Sequence, residues 1–230
     1  MIDIENLSIS TYIINQPDSI ERRDHIVGQF KEKPEFDISI IDACSHENEA
    51  FGQWLTIRKV IELAISKDDH VIIICEGDHE FTSSYSKIFL FQNIIQAQKQ
   101  RCDYFSGGTA GFNFAVPISE NRFWTNHCTS TQFIVLYRSL FKKILNEPFD
   151  ESIIAGLKLS QLAANKMILF PFISIQKDFG HSNSIAPNAE QMSVVQTWFA
   201  QSSERLRIMQ DSFVRHCYPK KVQPVDTLLV

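Results

Sequence analysis

The sequence predicts a single α/β domain on a mostly parallel central sheet, and three observations carry that reading. Strand-like runs alternate with helical periodicities through the first half of the chain, and parallel strands need crossover helices of that kind. One run, Val71-Ile-Ile-Ile-Cys75, has four consecutive β-branched residues, the pattern of a strand covered on both faces. It passes directly into a group of acids, Glu76, Asp78 and Glu80. In open α/β sheets the carboxyl ends of the strands line the ligand crevice.

The elements follow in order. Thr11–Asn15 reads as strand one, and Pro17 stops it. Asp18 or Ser19 then caps a helix over about residues 19–32, with Ile26, Val27 and Phe30 on its apolar face. Phe36–Ile41 alternates and reads as strand two. Residues 51–66 have helical spacing, with Trp54, Leu55, Ile57 and Ile61 inward. Strand three is Val71–Cys75. Ser83 or Ser84 caps a helix to about Gln100, and Cys102–Phe105 is a fourth strand stopped by Gly107-Gly108. The order is βαβαβαβ.

The second half is less regular. Phe112–Val116 and Gln132–Tyr137 read as strands joined by a polar loop, followed by a short helix over Leu140–Leu145 and a polar helical stretch. Met167–Ile175 reads as one buried strand, with Pro171 marking an edge or bulge. Residues 188–217 have the spacing of one long amphipathic helix, and 218–230 read as a loosely ordered tail. One domain over 1–230 is expected, with a regular first half (about 8–111), a less regular second half (about 112–217) and the tail (218–230).

Composition excludes several classes. The chain has 230 residues, enough for a substantial core. No stretch has the ~18–20 uninterrupted apolar residues of a membrane span, which leaves peripheral membrane contact open. The net charge is −5 with Lys and Arg dispersed, which argues against a nucleic-acid binder. Cys44, Cys75, Cys102, Cys128 and Cys217 are odd in number and widely spaced, as in the reduced thiols of a cytoplasmic protein. The Met1 end is acidic, unlike a secretory leader.

Clustered carboxylates need a counter-charge, and hard oxygen ligands suit Mg²⁺ or Mn²⁺. The acids after strand three therefore suggest a metal-assisted nucleotide or sugar-nucleotide site, against the alternative of an idle acidic turn. Glu76 and Asp78 are the candidate metal ligands, with His181 meeting the metal or diphosphate from the carboxyl-terminal side. Asn15, Arg22 and Arg23 lie just beyond strand one, where a guanidinium can fork onto phosphate. One of the two arginines must point elsewhere, because helix neighbours do not share a face. Gly107 and Gly108 would let backbone approach the donor, or would simply form a tight turn.

Three segments together resemble glycosyltransferase family 25. Ile14-Asn15-Gln-Pro17-Asp18-Ser-Ile-Glu21-Arg22-Arg23 is similar to that family's opening block, and Gly52-Gln-Trp-Leu55-Thr56-Ile-Arg58 to its second, helical block. Glu76-Gly77-Asp78 stands where the family has Glu-Asp-Asp. The resemblance covers about residues 8–145. Pro171–Gly180 also looks like a stretch found in putative members from bacterial glycan gene clusters. The resemblance implies a GT-A-like, Rossmann-like fold with a nucleotide-sugar-binding half (about 8–111), an acidic metal motif and a more variable acceptor half (about 112–217), which the helical spacing of 188–217 would close with a long helix. It further implies a UDP-sugar donor, often UDP-galactose, a glycan or lipid-linked glycan acceptor as in lipopolysaccharide, and inversion at the anomeric carbon. Inversion needs a base, and Asp150, Glu151 and His127 are the candidates.

Two departures stand out. Gly77 replaces the middle acid, and Thr56-Ile57 replaces the family's Ser-His pair. The alternative reading is therefore a catalytically degenerate, glycosyltransferase-like binding protein. A nucleotidyltransferase ranks lower, for want of a Gly-rich phosphate loop near the N-terminus. Adding a carboxylate at Gly77 is expected to tighten metal binding, unless position 77 never faces the metal.

Overall fold

The computed structural model describes residues 4–148, 154–179 and 193–217. The first half contains β1 (Ile9–Asn15), α1 (Ile20–Phe30), β2 (Phe36–Asp42), α2 (Glu49–Ser66), β3 (Val71–Glu76), β4 (His79–Phe81), α3 (Lys87–Lys99) and β5 (Tyr104–Ser106). The second half adds β6 (Ala115–Pro117), β7 (Arg122–Thr125), β8 (Phe133–Tyr137), α4 (Arg138–Asn146), α5 (Ala155–Leu162), β9 (Lys166–Leu169), β10 (Ser174–Gln176) and α6 (Val194–Cys217).

Eight strands form one sheet in the order β2-β1-β3-β8-β5-β9-β7-β6. The pairs β1–β2, β1–β3 and β5–β9 are parallel. The fully buried β8 runs antiparallel between β3 and β5. This corrects the simple βαβαβαβ reading: β5 does not pair with β3. Every residue of β8 is apolar or aromatic and buried, so its composition marks a central strand but carries no sign of its neighbours.

Alternation along the strands divides the core into two layers. Ile72 and Ile74 face a layer with Trp54, Ile57 and Ile61 of α2, Leu140 of α4, Leu159 of α5, and Phe199 and Leu206 of α6. Ile73 and Cys75 face the opposite layer, with Ile26 and Phe30 of α1 and Leu90, Phe91 and Ile94 of α3. Each fully buried side chain of this size contributes about 1.5–3 kcal/mol. Helices on both faces are what the β-branched run in β3 requires.

Local chemistry sets the helix starts. Asn48 Oδ1 accepts from Phe51 N at the start of α2, and Ser86 Oγ accepts from Phe89 N at the start of α3. The α3 cap is therefore Ser86, not Ser83 or Ser84. In the intervening segment, β4 pairs antiparallel with β10 in a separate two-stranded sheet. The run expected as one strand, Met167–Ile175, is two strands with Pro171 between them, preceded by a cis peptide bond. The expected loop between β6 and β8 contains a further strand, β7, paired with both β6 and β9.

The long helix is present as α6, beginning at Val194, and the expected residues 188–192 and the 218–230 tail lie outside the described residues. Among the described residues, no helix is long and apolar enough to cross a membrane. Cys75, Cys102 and Cys128 are buried free thiols.

Candidate functional site

The carboxyl ends of β1 and β3, the start of α2 and the first turns of α1 enclose a cavity of about 350 Å³. Asn15, Arg22, Gln53, Glu76, Gly77 and Asp78 are in its wall. Parallel pairing puts this cleft there: Ile14 stands beside Glu76 in the β1–β3 register, so both strands release their loops on the same side. Four residues from three separate sequence segments, Asn15, Arg22, Glu76 and Asp78, thus meet in one place.

Glu76 ends β3 and is tightly held. Its Oε1 accepts from Gln53 Nε2 at 2.5 Å and from Thr131 Oγ1 at 2.6 Å. Burial, with the nearby negative charge of Asp78, pushes its pKa up to about 7. The bonds from Thr131 and Gln53 and the positive charge of Arg22 act in the opposite direction. Asp78 occupies the two-residue turn into β4. Its Oδ2 accepts from Gln176 Nε2 at 3.2 Å, and its carbonyl accepts from Lys177 N at 2.8 Å. Burial raises its pKa, and Arg22 opposes that shift most strongly. The Arg22 guanidinium also lies over the Phe179 ring, 5.3 Å from its centroid.

Two oxygens in this wall are buried without a hydrogen-bond partner, Asp78 Oδ1 and Asn15 Oδ1. A buried unpaired acceptor costs about 1–3 kcal/mol, and two in one wall mark a place that suits a cation. Oxygen donors of this kind fit a hard dication. Among the described residues, no group of three or more His, Cys, Asp or Glu side chains is arranged to hold a metal. A cation here would therefore rest on Asp78, Glu76 and Asn15, with its remaining oxygens supplied by the ligand.

Gly77 is where close packing decides the residue. A β-carbon on it would lie 2.9 Å from Asn15 Oδ1 and 3.3 Å from Arg22 Cβ. The missing acid of Glu76-Gly77-Asp78 thus reflects the approach of β1 and α1. A side chain at 77 would point toward Asn15 Oδ1 in the cleft wall, so it enters only if the Asn15 amide or Arg22 shifts.

Other candidate residues lie elsewhere. Arg23 is exposed and outside the cleft wall, as neighbours on a helix dictate. Gly107 and Gly108 are buried away from the cleft. A β-carbon on Gly108 would sit 2.0 Å from the Ser174 carbonyl oxygen, and one on Gly107 would lie 2.7 Å from the Phe133 ring. The Gly107 carbonyl accepts from Ile173 N and Ser174 N, so these glycines admit the β10 segment and not a donor. His127 closes a local turn, with Nδ1 3.3 Å from Ser160 Oγ. It belongs to neither this cleft nor its neighbouring cavity, so the base role expected for it is not supported by position. Asp150, Glu151 and His181 lie outside the described residues.

Gln53, Thr131 and Gln176 are the residues that the sequence did not single out. Gln53 and Gln176 lie within stretches that carry the family resemblance and Thr131 in the polar loop before β8, but nothing local marks these common polar residues, and only folding brings them onto the two acids. Thr56, in the segment where the family motif has Ser-His, instead accepts from Cys44 N and donates to Gly52 O, tying α2 to the loop before it.

The fold is that of a single mixed α/β domain with a large, mostly parallel sheet and a long carboxyl-terminal helix. It is shared with the crystal structure of A197 from STIV at a TM-score of 0.52 and 15% identity, over 74% of this chain and 86% of that one. No protein-family profile matches the chain, and no curated protein sequence matches it. Other solved structures similar to it include a glycosyltransferase involved in the glycosylation of the major capsid of PBCV-1, at a TM-score of 0.43 and 10% identity over 70% of this chain and 81% of that one. A mannosyltransferase from Pyrobaculum calidifontis, in complex with GDP-Man and Mn²⁺, has a TM-score of 0.40 and 11% identity over 74% of this chain and 58% of that one. At scores of 0.43 and 0.40 the likeness carries no functional assignment.

Proposed function

We propose that the chain is a glycosyltransferase that moves a sugar from a UDP-sugar to a glycan acceptor, with a divalent cation in the cleft of Asn15, Glu76 and Asp78. The observation that carries this reading is the pair of buried, unpartnered oxygens, Asp78 Oδ1 and Asn15 Oδ1, in one wall with Arg22. Two acceptors without donors favour a cation, and a guanidinium beside them favours phosphate. A diphosphate bound to that cation satisfies both. The family 25 resemblance over about residues 8–145 supplies the UDP-sugar, inversion, and a surface glycan made from the cytoplasmic side.

The residues have separate tasks in this reading. Arg22 pairs with donor phosphate, and stacking against Phe179 limits the directions its guanidinium can take. Gln53 and Thr131 fix the Glu76 carboxylate, and Gln176 fixes that of Asp78. When bound, the cation offsets the charge that develops on the departing diphosphate.

Calorimetric titration of UDP-galactose and UDP-glucose, with and without Mn²⁺, tests the proposal. The expected result is Mn²⁺-dependent binding in the wild type and its loss in Asp78→Asn, with UDP released on turnover. Binding without UDP release under any condition would favour the degenerate binding protein. Equal binding by wild type and Asp78→Asn would remove Asp78 from the site.

A further inference from the structure

A second cavity, of about 430 Å³, adjoins the first. Gly111, Thr129, Thr131, Gln176, Val195 and Trp198 line it. Two of these form the partition between the cavities: Thr131 donates to Glu76 Oε1 at 2.6 Å, and Gln176 donates to Asp78 Oδ2 at 3.2 Å. Whatever fills the second cavity is therefore one side chain from each acid.

The lining chemistry is distinctive. Hydroxyl and amide groups alternate with small apolar surface, and among the described residues no Lys, Arg, Asp or Glu lines the cavity. Such a wall matches a neutral ligand with many hydroxyls. It does not match a phosphate, which needs positive charge. Trp198 is 51% exposed, an unusual position for the largest apolar side chain unless something covers it.

The helix that carries the indole is also held in place. Residues 198, 202 and 205 recur at helical spacing and share one face of α6. Ser202 Oγ donates to the Ala110 carbonyl at 2.8 Å. Arg205 donates to the Phe112 and Asn113 carbonyls, each at 3.1 Å, and its guanidinium lies 4.1 Å from the Phe112 ring centroid. Phe199 and Leu206 anchor the helix in the core. A face pinned one and two turns further along thus holds the backbone of Trp198 at the edge of the cavity.

We propose that this second cavity is a subsite for a neutral pyranose, the acceptor sugar, with its C–H face against Trp198 and its hydroxyls on Thr129, Thr131 and Gln176. Its role as acceptor subsite rests on the transfer reading above. The sugar recognition itself rests on Trp198 and the uncharged polar wall.

The test uses simple sugars as probes. Methyl glycosides of glucose, galactose, mannose and N-acetylglucosamine are titrated at millimolar concentration by saturation-transfer NMR, alongside UMP and UDP-galactose with Mn²⁺. At least one methyl glycoside is expected to bind the wild type. Trp198→Ala should weaken it at least about tenfold, Trp198→Phe should retain part of the affinity, and neither should change UDP-galactose binding. Because Trp198 is exposed, both variants are expected to fold, and their melting temperatures check this.

Equal glycoside binding by wild type and Trp198→Ala overturns the proposal, as does a wild type that binds none of the four. Loss of UMP binding in Trp198→Ala would make the cavity a base pocket and overturns it too. Trp198-dependent glycoside binding in a protein that binds no UDP-sugar upholds the sugar site and overturns the transfer reading alone.

Discussion

Gly77 packs against Asn15 so closely that a β-carbon at position 77 would lie 2.9 Å from Asn15 Oδ1. Asn15 is buried, and its Nδ2 donates to the Gln16 carbonyl at 2.7 Å, so moving the amide aside disturbs that bond. Gly77→Ala and Gly77→Asp should each destabilise the protein by about 1–3 kcal/mol through overpacking. Gly77→Asp should not strengthen Mn²⁺ binding. Chemical denaturation and metal titration of the two variants check both statements.

Glu76 gives a pH prediction. Its carboxyl is held up to about 7 by burial and by Asp78, above its unfolded value. The folded state therefore keeps this proton longer than the unfolded chain. That stabilising contribution is full below the unfolded carboxylate range and is lost as pH rises to about 7 and beyond. Glu76→Gln removes the titration and keeps an oxygen to accept from Gln53 and Thr131. In metal-free protein the variant should gain on the wild type by about 1–3 kcal/mol between pH 5 and pH 8. Denaturation midpoints across that range would show it, and parallel pH profiles would sink the assignment.

His79 acts in the opposite direction. It follows the acids in the sequence, but its ring is fully buried among Phe30, Phe81 and Phe133, with Nδ1 2.8 Å from Ser174 Oγ. Burial, then the positive charges of His25 and Lys33, hold its pKa down to about 3. The unfolded chain therefore takes up a proton first as pH falls. The stability from a neutral His79 is complete above the ordinary histidine range and drains away as pH falls through that range to about 3. Its share of the loss approaches about 1.4 kcal/mol per pH unit. His79→Asn should flatten the acid limb of the stability profile between pH 6 and pH 4, whatever its effect at neutral pH.

Gly108 tests how β10 is seated. A β-carbon there would meet the Ser174 carbonyl at 2.0 Å, a backbone atom that cannot rotate aside. Gly108→Ala should cost about 3 kcal/mol or prevent folding. It should also weaken UDP-sugar binding, because the β4–β10 pair brings Gln176 to Asp78. A variant of unchanged melting temperature would contradict this packing.

The sequence by itself determined the central strand, the flanking helices and the place of the acids. Four β-branched residues in a row favour a strand covered on both faces, and the apolar run ends at Glu76. The β1–β2–β3 unit was legible because its periodicities are clean and each strand is followed by an amphipathic helix, the pattern of parallel pairing. Tertiary structure alone decided that β8 enters antiparallel between β3 and β5, since pairing depends on which apolar edges meet and not on composition. It also split the Met167–Ile175 run and set Gly107-Gly108 under its second half. The site follows the same division. Asn15, Arg22, Glu76 and Asp78 were visible because strand ends and charge are written locally. Gln53, Thr131, Gln176 and Trp198 were not, because a neutral side chain has no recognisable role until folding brings it to a carboxylate or a cavity. Gly77, read from sequence as a lost acid, packs against the Asn15 and Arg22 side chains, a closeness that no single segment contains.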